Sequence, residues 1–99
     1  MAITNAANQF VSFPYANKSA FDLEGDVLVR AGSGYVATLC VTTSGDGVSI
    51  CDAATVAEAS TGNLIASVTA QGVYTLNFPY HNGLVIQTGA GTVVSVSYI

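Results

Sequence analysis

The chain has 99 residues, of which 51% are hydrophobic and only 8% are charged, and its formal net charge is −4. This length fits one domain with a single two-layer core and leaves no room for a deep enclosed pocket. Lys18 and Arg30 are the only Lys or Arg residues, which disfavours binding to nucleic acid or to an anionic membrane by charge neutralisation. With so few charges, much apolar surface would stay exposed on a monomer, which favours self-association or burial against a larger partner.

The first 25 residues differ from the rest because they are rich in aromatic side chains and show no regular pairing pattern. The start of the chain has neither the basic nor the apolar region of a secretory signal. We interpret residues 1–25 as an N-terminal arm. Its rings either cover an open end of the domain's own core or anchor the arm on a neighbouring subunit or another protein. The candidate interface residues are Phe10, Phe13, Tyr15 and Phe21.

Residues 26–99 are predicted to form one all-β domain. Apolar residues recur at every second position, and Gly, Asn, Asp or Ser bounds each run. Seven short strands at this spacing are typical of a β-sandwich or jelly roll. The predicted strands are residues 26–31, 35–43, 48–52, 64–70, 73–79, 84–88 and 92–98. Residues 53–61 are predicted to be a helical turn, a loop or an edge strand.

The alternation also predicts which strand faces are buried. In the last strand, Val94, Val96 and Tyr98 share one side and Val93 and two serines share the other. In the second predicted strand, the better core candidates are Tyr35, Ala37, Leu39 and Val41.

The two cysteines are predicted to be cross-strand neighbours. If Gly45-Asp46 is the tip of a hairpin, residues whose numbers sum to 91 face each other, so Cys40 opposes Cys51. Directly opposed strand positions suit a disulfide poorly, and no secretory signal is evident. We therefore expect free, half-buried thiols.

The sequence offers little conventional site chemistry. His81 lies in a predicted turn, and a surface or turn histidine is favoured over a catalytic one because no Gly-x-Ser-x-Gly elbow is present. Asp22, Glu24 and Asp26 alternate and could hold Ca²⁺ in an extended chain, but a solvated run is favoured. We predict no catalytic residue, metal site or cofactor.

From Tyr35 onward the order of strands and turns resembles that of a known group of proteins. A Ser44–Gly47 turn is followed by Ile50-Cys51-Asp52 and then by Asn82-Gly83-Leu84, and the chain closes with a Thr-Val-Val-Ser-Val-Ser-Tyr strand over residues 92–98. This order is similar to that of the small β-sandwich virion proteins of tailed bacteriophages, of the head decoration or spike-base type. The similarity covers residues 35–98, and its motifs are turns and strand ends with no chemical signature.

The resemblance implies a non-enzymatic structural subunit of a virion, a decoration, cement or spike-base protein that is made in the host cytoplasm. Such a subunit would associate with itself, as a homotrimer by preference or as a pentamer, and would attach to the major capsid protein or another virion protein. The alternative hypothesis is a carbohydrate- or receptor-binding β-sandwich module. In that case exposed tyrosines would stack on sugar rings, and the candidates are Tyr15, Tyr35, Tyr74 and Tyr80.

Overall fold

The structure is a computed structural model that describes residues 18–99. These residues form eight strands in two four-stranded antiparallel sheets. Sheet A contains, in spatial order, β1 (Lys18–Leu23), β8 (Val93–Tyr98), β3 (Gly34–Thr43) and β6 (Gly72–Tyr80). Sheet B contains β2 (Asp26–Ala31), β7 (Gly83–Thr88), β4 (Val48–Asp52) and β5 (Leu64–Val68). The predicted all-β sandwich is therefore confirmed.

Strand β1 lies within the segment that the sequence analysis assigned to the arm. Lys18 pairs with Tyr98 and Ala20 pairs with Val96, so this part of the chain is an edge strand of sheet A. The register shifts between Ala20 and Leu23, and Asp22 has a φ of 58°. This bulge breaks the two-residue period of apolar side chains, which is why alternation did not predict the strand. Residues 1–17, which include Phe10, Phe13 and Tyr15, lie outside the described residues.

The core fills the space between the two sheets. Leu39, Val41, Val94 and Val96 enter it from sheet A, as predicted, and Val48, Ile50, Leu84 and Ile86 enter it from sheet B. Val36 is also buried although it was not in the predicted face, because a bulge between Val36 and Thr38 shifts the register of β3. Tyr35 is only half-buried. Burial of such side chains contributes about 1.5–3 kcal/mol each.

Connections between strands pass from one sheet to the other, except for the one between β4 and β5. Residues 44–47 illustrate why. The Asp46 N–H donates to the Ala90 carbonyl, the Gly47 N–H donates to the Thr92 hydroxyl, and the Gly89 N–H donates to the Gly47 carbonyl. The backbone groups of this turn thus pair with the neighbouring β7–β8 connection. Gly45 is required because a Cβ there would lie 2.4 Å from the Ala90 carbonyl oxygen.

The prediction that Cys40 opposes Cys51 is therefore wrong. Residues 44–47 form an arch between sheets and not a hairpin, so β3 and β4 do not pair. Cys40 instead pairs with Val73 and Ser95, and Cys51 pairs with Leu64 and Val85. Both thiols are free, Cys40 being half-buried and Cys51 buried.

A loop over residues 53–63 covers part of the outer face of sheet B. It contains two short 3₁₀ turns, Val56–Glu58 and Thr61–Asn63. Cys51, Ala53 and Val85 form a second small cluster with Val56 and Ala59, which explains why β7 is buried on both faces. No helix in the described residues is long and apolar enough to cross a membrane.

Candidate interaction surface

The outer face of sheet A is an uncharged surface built from small side chains. Directly paired residues of antiparallel strands share a face, so the register defines rows across the sheet. One row runs from Ser19 through Ser97 and Thr38 to Thr75, and the next contains Ser95, Cys40 and Val73. Neither row contains a charged side chain. The hydroxyl groups and small apolar groups of these rows form the surface that we call the sheet A face.

Phe21 lies at the β1 end of the sheet A face and is 73% exposed. It borders a shallow depression of about 150 Å³ with Ser19, Thr38, Cys40, Ser95, Val96 and Ser97. The Asp22 N–H donates to the Ser95 hydroxyl across the bulge of β1 at 3.4 Å. A large exposed ring beside an uncharged face provides apolar contact area without the cost of desolvating a charge. Among the four candidate interface residues, Phe21 is the one that the structure describes.

Three of the four tyrosines of the alternative hypothesis lie within residues 18–99, and their hydroxyls donate to backbone carbonyls of the domain. Tyr80 is completely buried, and its hydroxyl donates to the Ile99 carbonyl at 2.6 Å. Burial raises the pKa of Tyr80, and contact with Arg30 partly opposes this rise. Tyr35 and Tyr74 are half-buried, and their hydroxyls donate to the carbonyls of Asn77 and Ala70. The Tyr80 ring therefore has no exposed face on which a sugar could stack.

His81 is exposed in the turn between β6 and β7, as predicted. The carboxylate of Asp52, at the end of β4, accepts the backbone N–H groups of His81 at 2.9 Å and Asn82 at 2.7 Å, and that of Gly83 at 3.4 Å. Burial alone would raise the pKa of the Asp52 carboxyl, but these hydrogen bonds together lower it below its ordinary value. Asp52 therefore stabilises the turn that joins the two sheets.

In the sequence, the Ile50-Cys51-Asp52 strand end and the Asn82-Gly83-Leu84 turn are separate motifs with no visible connection. The Asp52 contact is the physical link between these two motifs. One feature of the sequence could have suggested this contact. It is an aspartate at a strand end together with a later turn whose backbone N–H groups have no partner in a strand. Only the fold brings residues 52 and 81–83 together.

Asp22, Glu24 and Asp26 are all exposed, as expected for a solvated run. The chain turns between β1 and β2 at residues 24–25, so the three carboxylates are not on one extended strand. Within residues 18–99 no cluster of three or more potential metal ligands is found.

The second outer face, that of sheet B, has a different depression beside the 53–63 loop. Its volume is about 320 Å³, and Ser49, Ser60, Thr61, Ser67 and Gln87 border it with Cys51 and Leu64. The Cys51 thiol donates to the Ser60 carbonyl at 3.7 Å, and burial raises the pKa of this thiol. The buried cysteine thus has a structural position beneath the loop.

Comparisons of the sequence with protein-family models and with curated proteins, and of the structure with solved structures, find no match.

Proposed function

We propose that the protein is a non-enzymatic structural subunit of a tailed-bacteriophage virion, a decoration, cement or spike-base protein that self-associates and attaches to the capsid or tail. The proposal depends on the sequence resemblance over residues 35–98 and on the nature of the sheet A face. The uncharged sheet A face is the single structural observation that supports the proposal.

The sheet A face has the composition expected of a surface that is covered in an assembly. Phe21 exposes 73% of its surface, and the rows beside it contain hydroxyl, thiol and small apolar groups. Cores of stable protein interfaces are depleted of charged residues and enriched in aromatic ones. A partner could therefore bury this face without leaving an unpaired charge in the contact.

The position of Phe21 extends the proposed attachment surface toward the N-terminus. Phe10, Phe13 and Tyr15 precede β1 by a few residues in the sequence, and β1 begins at the edge of sheet A. We therefore assign attachment to the N-terminal aromatic residues together with Phe21. Self-association is assigned to the β-domain.

The carbohydrate-binding alternative needs exposed aromatic rings beside Asp or Asn side chains. The depression at Phe21 contains one ring and no Asp or Asn, and the ring of Tyr80 is buried. No observation in the described residues favours this alternative, and we do not propose it.

The direct test is to purify virus particles from cells that carry the gene and to measure the copy number of the chain by quantitative mass spectrometry. We expect a copy number per particle that is a fixed multiple of the number of symmetry-equivalent positions on the particle. Absence of the chain from purified particles would contradict the proposal.

The role of Phe21 is tested by co-sedimentation of purified protein with particles that lack the chain. Phe21→Ala should weaken attachment by about 2 kcal/mol, or roughly thirtyfold, if Phe21 is a central contact. Leu28→Ala is the matched control, because Leu28 is an exposed apolar residue on β2 of the other sheet. Equal binding by the Phe21→Ala and wild-type proteins would remove Phe21 from the attachment surface.

A further inference from the structure

The sandwich has a lateral edge formed by β5 and β6, which are the outermost strands of sheet B and sheet A. Residues 69–71 join these two strands directly, so they lie on the same side of the sandwich. We call this side the β5/β6 edge. An edge strand presents unpaired backbone N–H and C=O groups and can accept another strand.

Charge is distributed unequally between the two lateral edges. The opposite edge, formed by β1 and β2, carries Lys18, Asp22, Glu24, Asp26 and Arg30 on its strands and their connection. Residues 59–99, which include all of β5 and β6, contain no Asp, Glu, Lys or Arg. Charged side chains on an edge strand oppose pairing with another chain. The β1/β2 edge has this protection, and the β5/β6 edge lacks it.

Apolar exposure is also concentrated at the β5/β6 edge. Val73 is 70% exposed, Phe78 is 50% exposed and Leu64 is 41% exposed. These residues are three of the five large hydrophobic side chains that are exposed among residues 18–99. An exposed, uncharged edge with apolar side chains is the expected property of a pairing surface.

Backbone irregularities leave one part of β6 available for pairing. The register of β6 against β3 shifts opposite Val36 and Thr38, Asn77 has a φ of 46°, and Pro79 has no N–H to donate. These features lie in the C-terminal half of the strand. Residues 72–75 pair regularly with β3 on one side and can present a regular edge on the other.

We propose that the occupant of the β5/β6 edge is a second copy of this chain, bound about a twofold axis, with β6 of one copy antiparallel to β6 of the other. In this arrangement an uncharged edge meets an identical uncharged edge. A ring in which the β5/β6 edge met the β1/β2 edge would place the five charged residues of the latter against uncharged strands, which is costly when charges lose water without gaining partners. The charge distribution therefore favours the twofold contact.

This inference rests on the self-association in the proposed function and names the surface responsible. A twofold contact gives a dimer, not the trimer preferred at the sequence level. Sheet A would continue across the axis as one larger sheet, and β5 of each copy would lie near the axis in sheet B.

The test is the mass of the full-length protein in sedimentation equilibrium across micromolar to submillimolar concentrations. We expect twice the monomer mass of 10.1 kDa. Val73→Lys and Val73→Glu should each weaken dimerisation by about tenfold or more, since like charges would face each other across the axis. An equimolar mixture of these two variants should recover the dimer mass.

Leu28→Lys is the matched control, because Leu28 is an exposed apolar residue on β2, at the other lateral edge and outside the sheet A face. It should leave the dimer intact. Circular dichroism should show that each variant is folded, and recovery in the mixture gives the same information independently.

Several results would overturn the inference. They are a wild-type mass of one or three chains, a Val73→Lys protein that dimerises like wild type, or a mixture that stays monomeric. Dissociation by Phe10→Ala with Phe13→Ala in the full-length chain, with Val73 variants unaffected, would show that the N-terminal segment makes the contact instead. Absence from virus particles with the Val73 results as expected would contradict the proposed function and leave this inference standing.

Discussion

Removal of the Asp52 carboxylate should destabilise the fold at the β6–β7 turn. Asp52 ends β4 in sheet B, and it accepts the N–H groups of His81 and Asn82 in a connection that runs from sheet A to sheet B. Its loss would therefore weaken a link between the two sheets. The variants that isolate the contribution are Asp52→Ala and Asp52→Asn.

The magnitude depends on how far water can replace the carboxylate. Hydrogen bonds to charged groups contribute about 1.5–3 kcal/mol each when well shielded, but His81 and Asn82 are exposed and water can solvate their N–H groups. The relevant comparison is a capping side chain at a helix start, where loss costs about 0.5–2 kcal/mol. We expect Asp52→Ala to cost about 2 kcal/mol and Asp52→Asn about 1 kcal/mol, because the amide keeps an acceptor.

The same contact predicts a dependence on pH. The folded-state pKa of Asp52 lies below its ordinary value of 3.8. Its contribution to stability is therefore fully present above the unfolded-state pKa and is lost as the pH falls through the folded-state pKa. The difference in unfolding free energy between wild type and Asp52→Asn should shrink below about pH 4.

Urea unfolding at pH 7, 4 and 3 measures both effects, and thermal unfolding at pH 7 should show a lower midpoint by about 4–8 °C for each kcal/mol. Asp46→Ala is the control, because Asp46 is an exposed aspartate in the arch at residues 44–47. An Asp52→Ala protein with the stability of wild type at pH 7 would refute the reasoning. A difference in unfolding free energy between wild type and Asp52→Asn that stays the same at pH 7, 4 and 3 would also refute it.

Two further predictions concern close packing and thiol access. Gly83→Ala should lower the free energy of unfolding in urea by about 2–3 kcal/mol, because its Cβ would lie 2.3 Å from the Ala53 carbonyl oxygen. Gly62→Ala is the control and should cost little, since the nearest neighbour of its Cβ would be the Ser60 hydroxyl at 3.5 Å. Equal losses of stability in the two variants would contradict the packing at Gly83. In thiol labelling of the native protein, the half-buried Cys40 should react and Cys51 should react only on unfolding, because Cys51 is buried with a raised pKa. The variants Cys40→Ser and Cys51→Ser show which cysteine gives the fast labelling reaction and which gives the slow one. Fast labelling of Cys51 in the native protein would contradict its placement beneath the 53–63 loop.

Local alternation was enough to predict seven of the strands, because each has a side in the core and small or polar residues at its ends. Strand β2 is observed with the predicted bounds, and so is β4. The period fails where a bulge intervenes, as in β1, where Ala20 and Leu23 pack against the core although they are three residues apart. A pattern method that assumes strict alternation cannot detect such a strand.

The sheet to which each strand belongs could not be predicted from local sequence. Residues 44–47 have the composition of a hairpin turn, and the same residues suit an arch between sheets. The choice depends on the Ala90 and Thr92 groups that pair with this turn, more than forty residues away. The error at Cys40 and Cys51 follows from this choice. For the candidate site, the sequence identified Phe21, but only the sheet register shows that the face beside it lacks charge.

The two proposed surfaces together predict that the dimer attaches more tightly than the monomer. A twofold axis that pairs β6 with β6 in one continuous sheet is perpendicular to that sheet, so the sheet A faces of both copies, with both Phe21 side chains, point to the same side. A particle with neighbouring identical sites could then bind both faces, and the second contact would form at a high effective concentration. Because Val73 also belongs to the sheet A face, loss of the second contact is measured by comparing Val73→Lys alone with its equimolar mixture with Val73→Glu. Val73→Lys alone should co-sediment about tenfold or more weakly, and the mixture should recover binding together with the dimer. Adding Phe21→Ala should remove the remaining binding. The Leu28→Lys control should leave both dimerisation and attachment intact. If monomeric Val73→Lys co-sediments as tightly as wild type, attachment uses one face at a time, and dimerisation through β6 has no part in it.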